Sequence, residues 1–113
     1  MPDPTYLEFV HLPTYRRSAE SLIDDNGQRE IEDTLLANPK AGPVIAGTGG
    51  VRKLRIALQG RGKQGGGRMI YYYREAKGRI YLIVAYGKGR KDDLTASERA
   101  VMKRLTAAIE SES

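Results

Sequence analysis

The chain has 113 residues, of which 40% are hydrophobic, and carries a net charge of +5 with a pI near 9.6. That length supports one domain, residues 1–113, with a single two-layer core, and is too short for two. The absence of cysteine excludes a disulfide framework, a thiolate nucleophile and a cysteine-based zinc site. No apolar run approaches the roughly 20 residues that span a bilayer. The first residues, MPDPTYLEF, have neither the basic nor the apolar region of a signal peptide. The expectation is a soluble cytoplasmic protein without a membrane partner.

In chain order, residues 5–11 alternate like a strand, with Tyr6, Glu8 and Val10 on one side and Leu7, Phe9 and His11 on the other. Pro13 ends that strand and Thr14 is placed to cap a helix. Tyr15, Ser18, Ala19, Leu22 and Ile23 then recur at helical spacing on one face. Asn26-Gly27 reads as a helix stop followed by a restart, giving a second helix from Gln28 to Ala37 with Ile31 and Leu35 buried. Asn38-Pro39 closes it, because the residue before proline is driven out of the helical region.

Residues 39–50 hold Pro43 and glycines at 42, 47, 49 and 50. The run AGTGGV invites comparison with a phosphate loop, but no Gly-Lys-Ser/Thr follows and a strand comes next, so it reads as a turn. Three strands follow. In 52–58, Leu54, Ile56 and Leu58 face a core while Lys53, Arg55 and Ala57 face away. In 68–75, Arg68, Ile70, Tyr72 and Arg74 share the face of Lys53 and Arg55, with Met69, Tyr71 and Tyr73 opposite. Ala76-Lys77-Gly78 is a tight connection into 79–86, a strand apolar on both sides and hence central. Thr95 and Glu98 form a capping box for a last helix with Val101, Leu105, Ala108 and Ile109 as its apolar stripe. The expected fold is α+β: strand, two helices, a three-strand meander and a helix, forming a small, mainly antiparallel sheet with the helices packed on one face.

Charge is distributed unevenly over this plan. Between Val51 and Lys91 there are 12 cations and one acid, Glu75, so that window is net +11 and the remainder is net −6. Five of the seven tyrosines lie in the same window. Such a field points to a polyanion partner, and nucleic acid fits better than membrane because no strongly cationic amphipathic helix accompanies it.

The segments FVHLPTY, NPKAGPVIAGTGGVRKLRIAL, GRGKQGGGRMIYYYRE and YLIVAYGKGRKDDLTASE, in that order, resemble the RelE/ParE toxin superfamily, and most of all its HigB-like branch. The resemblance implies a RelE-like fold and a ribosome-dependent mRNA endonuclease, an mRNA interferase of a type II toxin–antitoxin system. It implies as partners the ribosome, mRNA and a cognate antitoxin. It also matches a basic pair of the family to Lys53 and Arg55, a strand-opening arginine to Arg68, and cations after the last strand to Lys88 and Arg90. The family's C-terminal tyrosine has no counterpart after Lys91.

The residue inventory bears on the chemistry. Metal-assisted cleavage needs clustered carboxylates or histidines, and the basic window has one acid while the chain has only His11. A paired-histidine mechanism is excluded for the same reason. Attack of the ribose 2′-hydroxyl on the adjacent phosphate remains, with arginine and lysine carrying the charge and no cofactor required. Arg55 and Arg68 suit phosphate stabilisation because a guanidinium donates in pairs to phosphate oxygens. Lys53 or Lys88 is available as proton donor or acceptor. Tyr86 is placed to stack on a base or relay a proton. Arg61, Lys63, Tyr72, Arg90 and Lys91 are further candidates for RNA contact, while Arg74, Lys77 and Arg79 read as solvated charges at a hairpin tip. Two rival readings are a ParE-like inhibitor of gyrase that is not a nuclease, and an RNA-binding domain without activity.

Overall fold

The computed structural model describes residues 6–58, 66–87, 89 and 93–112. The order is β1 (Glu8–His11), α1 (Pro13–Ala19), α2 (Asp25–Ala37), β2 (Arg52–Ile56), β3 (Gly67–Arg74), a 3₁₀ turn (Glu75–Lys77), β4 (Arg79–Gly87) and α3 (Ala96–Glu110). One four-stranded mixed sheet runs in the order β1-β4-β3-β2. β1 is parallel to β4, and the other two pairings are antiparallel. The α+β class and the element order are therefore as expected, and the apolar strand β4 does occupy the interior. Among the described residues, no helix is long and apolar enough to cross a membrane.

The placement of the helices differs from the expectation. The sheet carries a core on each face. Tyr15, Ala19, Ile23, Ile31 and Leu35 of the α1–α2 segment pack on Leu54, Ile56, Met69, Tyr71, Ile80 and Leu82. Ile109, Met102 and Leu105 of α3 pack on Ile70, Tyr72, Tyr81 and Ile83 across the other face. The physical reason is visible in β3 and β4, where apolar residues occupy both parities. Two faces that must each leave water need a helix layer each. A register shift beside Ile70 and Tyr71 lets Ile83 and Val84 of β4 both serve the α3 side.

Helix boundaries shift for local reasons. Pro13 does not stop β1 from outside; it is the first residue of α1, where a missing N–H costs nothing. Thr14 does not cap: its hydroxyl donates to the carbonyl of Ile83 at 2.5 Å and ties α1 to β4. Asn26-Gly27 lies inside the first turn of α2, because Asp24 caps that helix by accepting from the Gly27 N–H at 2.8 Å. The capping box of Thr95 and Glu98 is formed as expected. The buried stripe of α3 is Met102, Leu105, Thr106 and Ile109, whereas Val101 is 50% exposed and Ala108 faces solvent.

Thr106 explains that rotation of the stripe. It is buried against the 45–51 turn, where its hydroxyl donates to the carbonyl of Thr48 at 3.2 Å. Thr48, itself fully buried, accepts from the Val51 N–H and donates to the Ile45 carbonyl. Gly47, Gly49 and Gly50 all have positive φ, which is what the turn demands of them. The glycine run is thus a docking turn under α3, consistent with rejecting a phosphate loop. Across the sheet, Tyr71 donates to the Pro39 carbonyl at 2.8 Å and accepts from the Gly42 N–H at 3.0 Å. Burial pushes that phenol's pKa up, with the Gly42 hydrogen bond and Arg52 opposing.

Candidate nucleic-acid interface

Strand register assembles the cationic face. Residues 51 and 53 turn their hydrogen bonds outward, to Ile45 and Pro43, so β2 meets β3 through its even-numbered residues. Arg55 and Arg68 are consequently a non-hydrogen-bonded pair, whose Cα atoms in such a geometry lie about 4.5 Å apart with side chains on one side. Arg68 is in turn the partner of Tyr86 on β4. Arg55, Arg68 and Tyr86 therefore form one row across three strands. Lys53 lies on the same face one step along, opposite Ile70.

Exposure differs sharply along the row. Arg55 is exposed, Tyr86 is half-buried, and Arg68 is only 3% exposed, with a guanidinium N–H donating to the Gly67 carbonyl at 3.0 Å. Lys53 reaches from β2 to the segment before α3, where its ammonium donates to Asp93 at 2.8 Å. That hydrogen bond holds the Asp93 carboxyl below its usual pKa, with the charges of Lys53, Arg99 and Arg68 adding in the same direction. Like charges placed directly across a strand pair destabilise a sheet, and an anion in front of such a row relieves that repulsion.

The other predicted positions fall into three groups. Arg61, Lys63, Lys88, Arg90 and Lys91 lie outside the described residues. Tyr72 shares the parity of Arg68 but sits two rows away, buried against α3, with its hydroxyl donating to the Glu110 carboxylate. Burial, and then Glu110, push its pKa up to about 12. It braces the C-terminal end of α3 and offers no open ring face to a base.

The hairpin-tip arginines also differ from the solvated reading. Arg74 is buried and donates to the carbonyls of Glu110 and Glu112 at 3.2 and 2.8 Å. Arg79 pairs with Glu8 at 2.7 Å, joining the parallel strands β4 and β1. His11 lies edge-on to Tyr15 with ring centroids 5.4 Å apart, a packing role. A cavity of about 420 Å³ opens between α2 and β2, lined by Glu30, Ile31, Thr34 and Ile56, and only Arg55 of the row borders it.

Residues 21–113 match the family model described as the RelE toxin of the RelE/RelB toxin–antitoxin system. The chain belongs to the RelE toxin family. Its fold is also that of a chain in the crystal structure of the archaeal RelE–RelB complex from Pyrococcus horikoshii OT3, with a TM-score of 0.52 and 19% identity. That likeness covers 75% of this chain and 98% of the other.

In this RelE-family chain, sequence reasoning missed Asp93 as the partner of Lys53 at the cationic face, and Arg99, whose charge acts on the same carboxyl. The capping box was the available signal: it fixes the start of α3 at Thr95, and so sets Asp93 just before the helix and Arg99 within its first turns.

Proposed function

We propose that this toxin is a ribosome-dependent mRNA endonuclease of the HigB-like kind, acting in the cytoplasm without a metal. The observation that carries the reading is the Arg55–Arg68–Tyr86 row with Lys53 beside it. In the proposed reaction the ribose 2′-hydroxyl gives up its proton to a basic side chain as its oxygen attacks the adjacent phosphorus. The P–O2′ bond forms, the P–O5′ bond breaks, and the electron pair leaves on O5′, which takes up a proton. The products are a 2′,3′-cyclic phosphate and a 5′-hydroxyl. Arg55 and Arg68 supply donors to the non-bridging oxygens, where negative charge accumulates in the transition state. Tyr86 of the row, Lys53 beside it and Lys88, the residue after Gly87 in the sequence, are the side chains that exchange protons. Arg61, Lys63, Arg90 and Lys91 hold neighbouring phosphates, and the ribosome positions the message.

The partner in the resting cell is a cognate antitoxin that covers the cationic face, in keeping with the family and with the complex in which the related fold was solved. The test is to express the chain and map cut ends on translated transcripts. Fragments bearing 5′-hydroxyl ends support the reading. Intact transcripts accompanied by trapped gyrase–DNA complexes would replace it with the ParE-like one, and growth arrest with neither would leave an RNA binder.

A further inference from the structure

One carboxylate is tied to the cationic face. Lys53 of β2 donates to Asp93 at 2.8 Å, and Arg68 of β3 shares the Lys53 face one row along, opposite Arg55. The charges of Arg99 and Arg68 add to the pull of Lys53 on the Asp93 carboxyl. Asp93 itself projects into solvent with its side chain 75% exposed, while the Lys53 side chain is 22% exposed. The cations are fixed on strands and a helix; the anion sits on the connection between β4 and α3.

We infer that Lys53, with Arg68 beside it, is a seat for one singly charged oxyanion, that Asp93 occupies it in the free toxin, and that an RNA phosphodiester takes the seat by displacing the Asp93 carboxylate. This rests on the proposed RNA reading of the row and adds to it Asp93 as the resident competitor. Charge supports the exchange. A phosphodiester and a carboxylate each carry one negative charge and accept hydrogen bonds from ammonium and guanidinium groups, so one replaces the other without leaving a cation uncompensated. Burial supports it too. Arg68, 3% exposed, has little open surface to offer an added ligand, so an anion reaches it by taking a neighbour's place. The depressed pKa of Asp93 makes the carboxylate a weak proton acceptor, which argues against the alternative that it serves as the general base.

The test is equilibrium binding of a fully 2′-O-methylated RNA oligonucleotide, which cannot be cleaved, to the whole chain over a salt series. Asp93→Asn keeps the shape of the side chain and removes its charge, and the exposure of Asp93 makes the fold indifferent to it. Binding should tighten by about three- to tenfold in Asp93→Asn and weaken by a similar factor in Lys53→Gln. The Lys53→Gln salt dependence should be shallower by about 0.7 in log–log slope, the loss of one single-strand phosphate contact. Binding by the unmodified chain that is unchanged or weakened in Asp93→Asn would overturn the seat while leaving the RNA reading standing. Absence of binding in both proteins would overturn the seat, while the ribosome-dependent reading of the row is decided by the mapping of cut ends. Binding by Asp93→Asn alone would support it.

Discussion

Arg55 and Arg68 are direct partners across β2 and β3, two guanidinium groups on one face with only Arg68 buried. Sheets disfavour like charges at such positions, so the pairing stabilises something other than the fold. Arg68→Ala is expected to abolish growth arrest and lower cleavage about 100- to 1,000-fold, as removal of a transition-state donor does. Circular dichroism should show the fold retained, and Arg68→Lys, which keeps the charge without the paired donors, should fall between. Undiminished toxicity of a folded Arg68→Ala protein would remove Arg68 from the site.

Much of this row was legible in the sequence, because strand alternation is a local property. Lys53 and Arg55 face away from Leu54 and Ile56, and Arg68 shares the parity of Ile70, as the pattern of residue types requires. What alternation does not encode is which helix covers which face. Both parities of β3 and β4 are apolar, and long-range contacts such as the fit of Thr106 to the turn at Thr48 hold α3 on the side opposite α1 and α2. Tyr72 and Arg74 show the same gap. Tyr72 reads as a candidate for RNA contact and Arg74 as a solvated charge, but the crossing of α3 covers their end of the strand and leaves the other end to the cations. Asp93 went unread because its partner is 40 residues away in the chain.

The docking of α3 gives a test of the fold itself. A Cβ on Gly49 would stand 2.4 Å from the Thr106 hydroxyl oxygen, and the Gly49 φ of +78° is strained for any other residue. Gly49→Ala combines a steric clash with a left-handed backbone and should cost about 1–3 kcal/mol. Urea unfolding would register this as a lower midpoint with an unchanged slope. A midpoint equal to that of the unmodified chain would mean that the turn does not hold α3.

Two buried phenols predict alkaline sensitivity. Burial raises Tyr15 from the ordinary 10.0 to about 12, with Glu32 adding and the Gln28 hydrogen bond opposing; Tyr72 is raised similarly by burial and Glu110. Between pH 10 and 12 the folded state holds protons on these groups that the unfolded state has lost, so stability falls as pH rises through that window and is fully present below it. Ultraviolet titration of tyrosinate should show two phenols lagging near pH 12. In Tyr15→Phe the alkaline loss of stability should be shallower. Uniform ionisation of all tyrosines in the folded protein would contradict both placements.

Arg74 closes the far end of the same helix. Its guanidinium donates to the carbonyls of Glu110 and Glu112 and lies 3.7 Å from the Glu110 carboxylate, which also accepts from Tyr72. These carbonyls belong to the last turn and the residue beyond it, where no backbone donor remains to satisfy them. A cation there also complements the helix dipole. Arg74→Ala should therefore cost about 1–3 kcal/mol, the range for hydrogen bonds from a charged donor, with the loss concentrated in α3. The Glu110 carboxylate is half-exposed and can turn to water, which keeps the penalty below that of a fully buried ion pair. Hydrogen exchange should accelerate at the C-terminal end of α3 and leave β4 protected. Loss of protection spread evenly over the sheet would instead show that Arg74 supports the whole domain, and not the end of one helix.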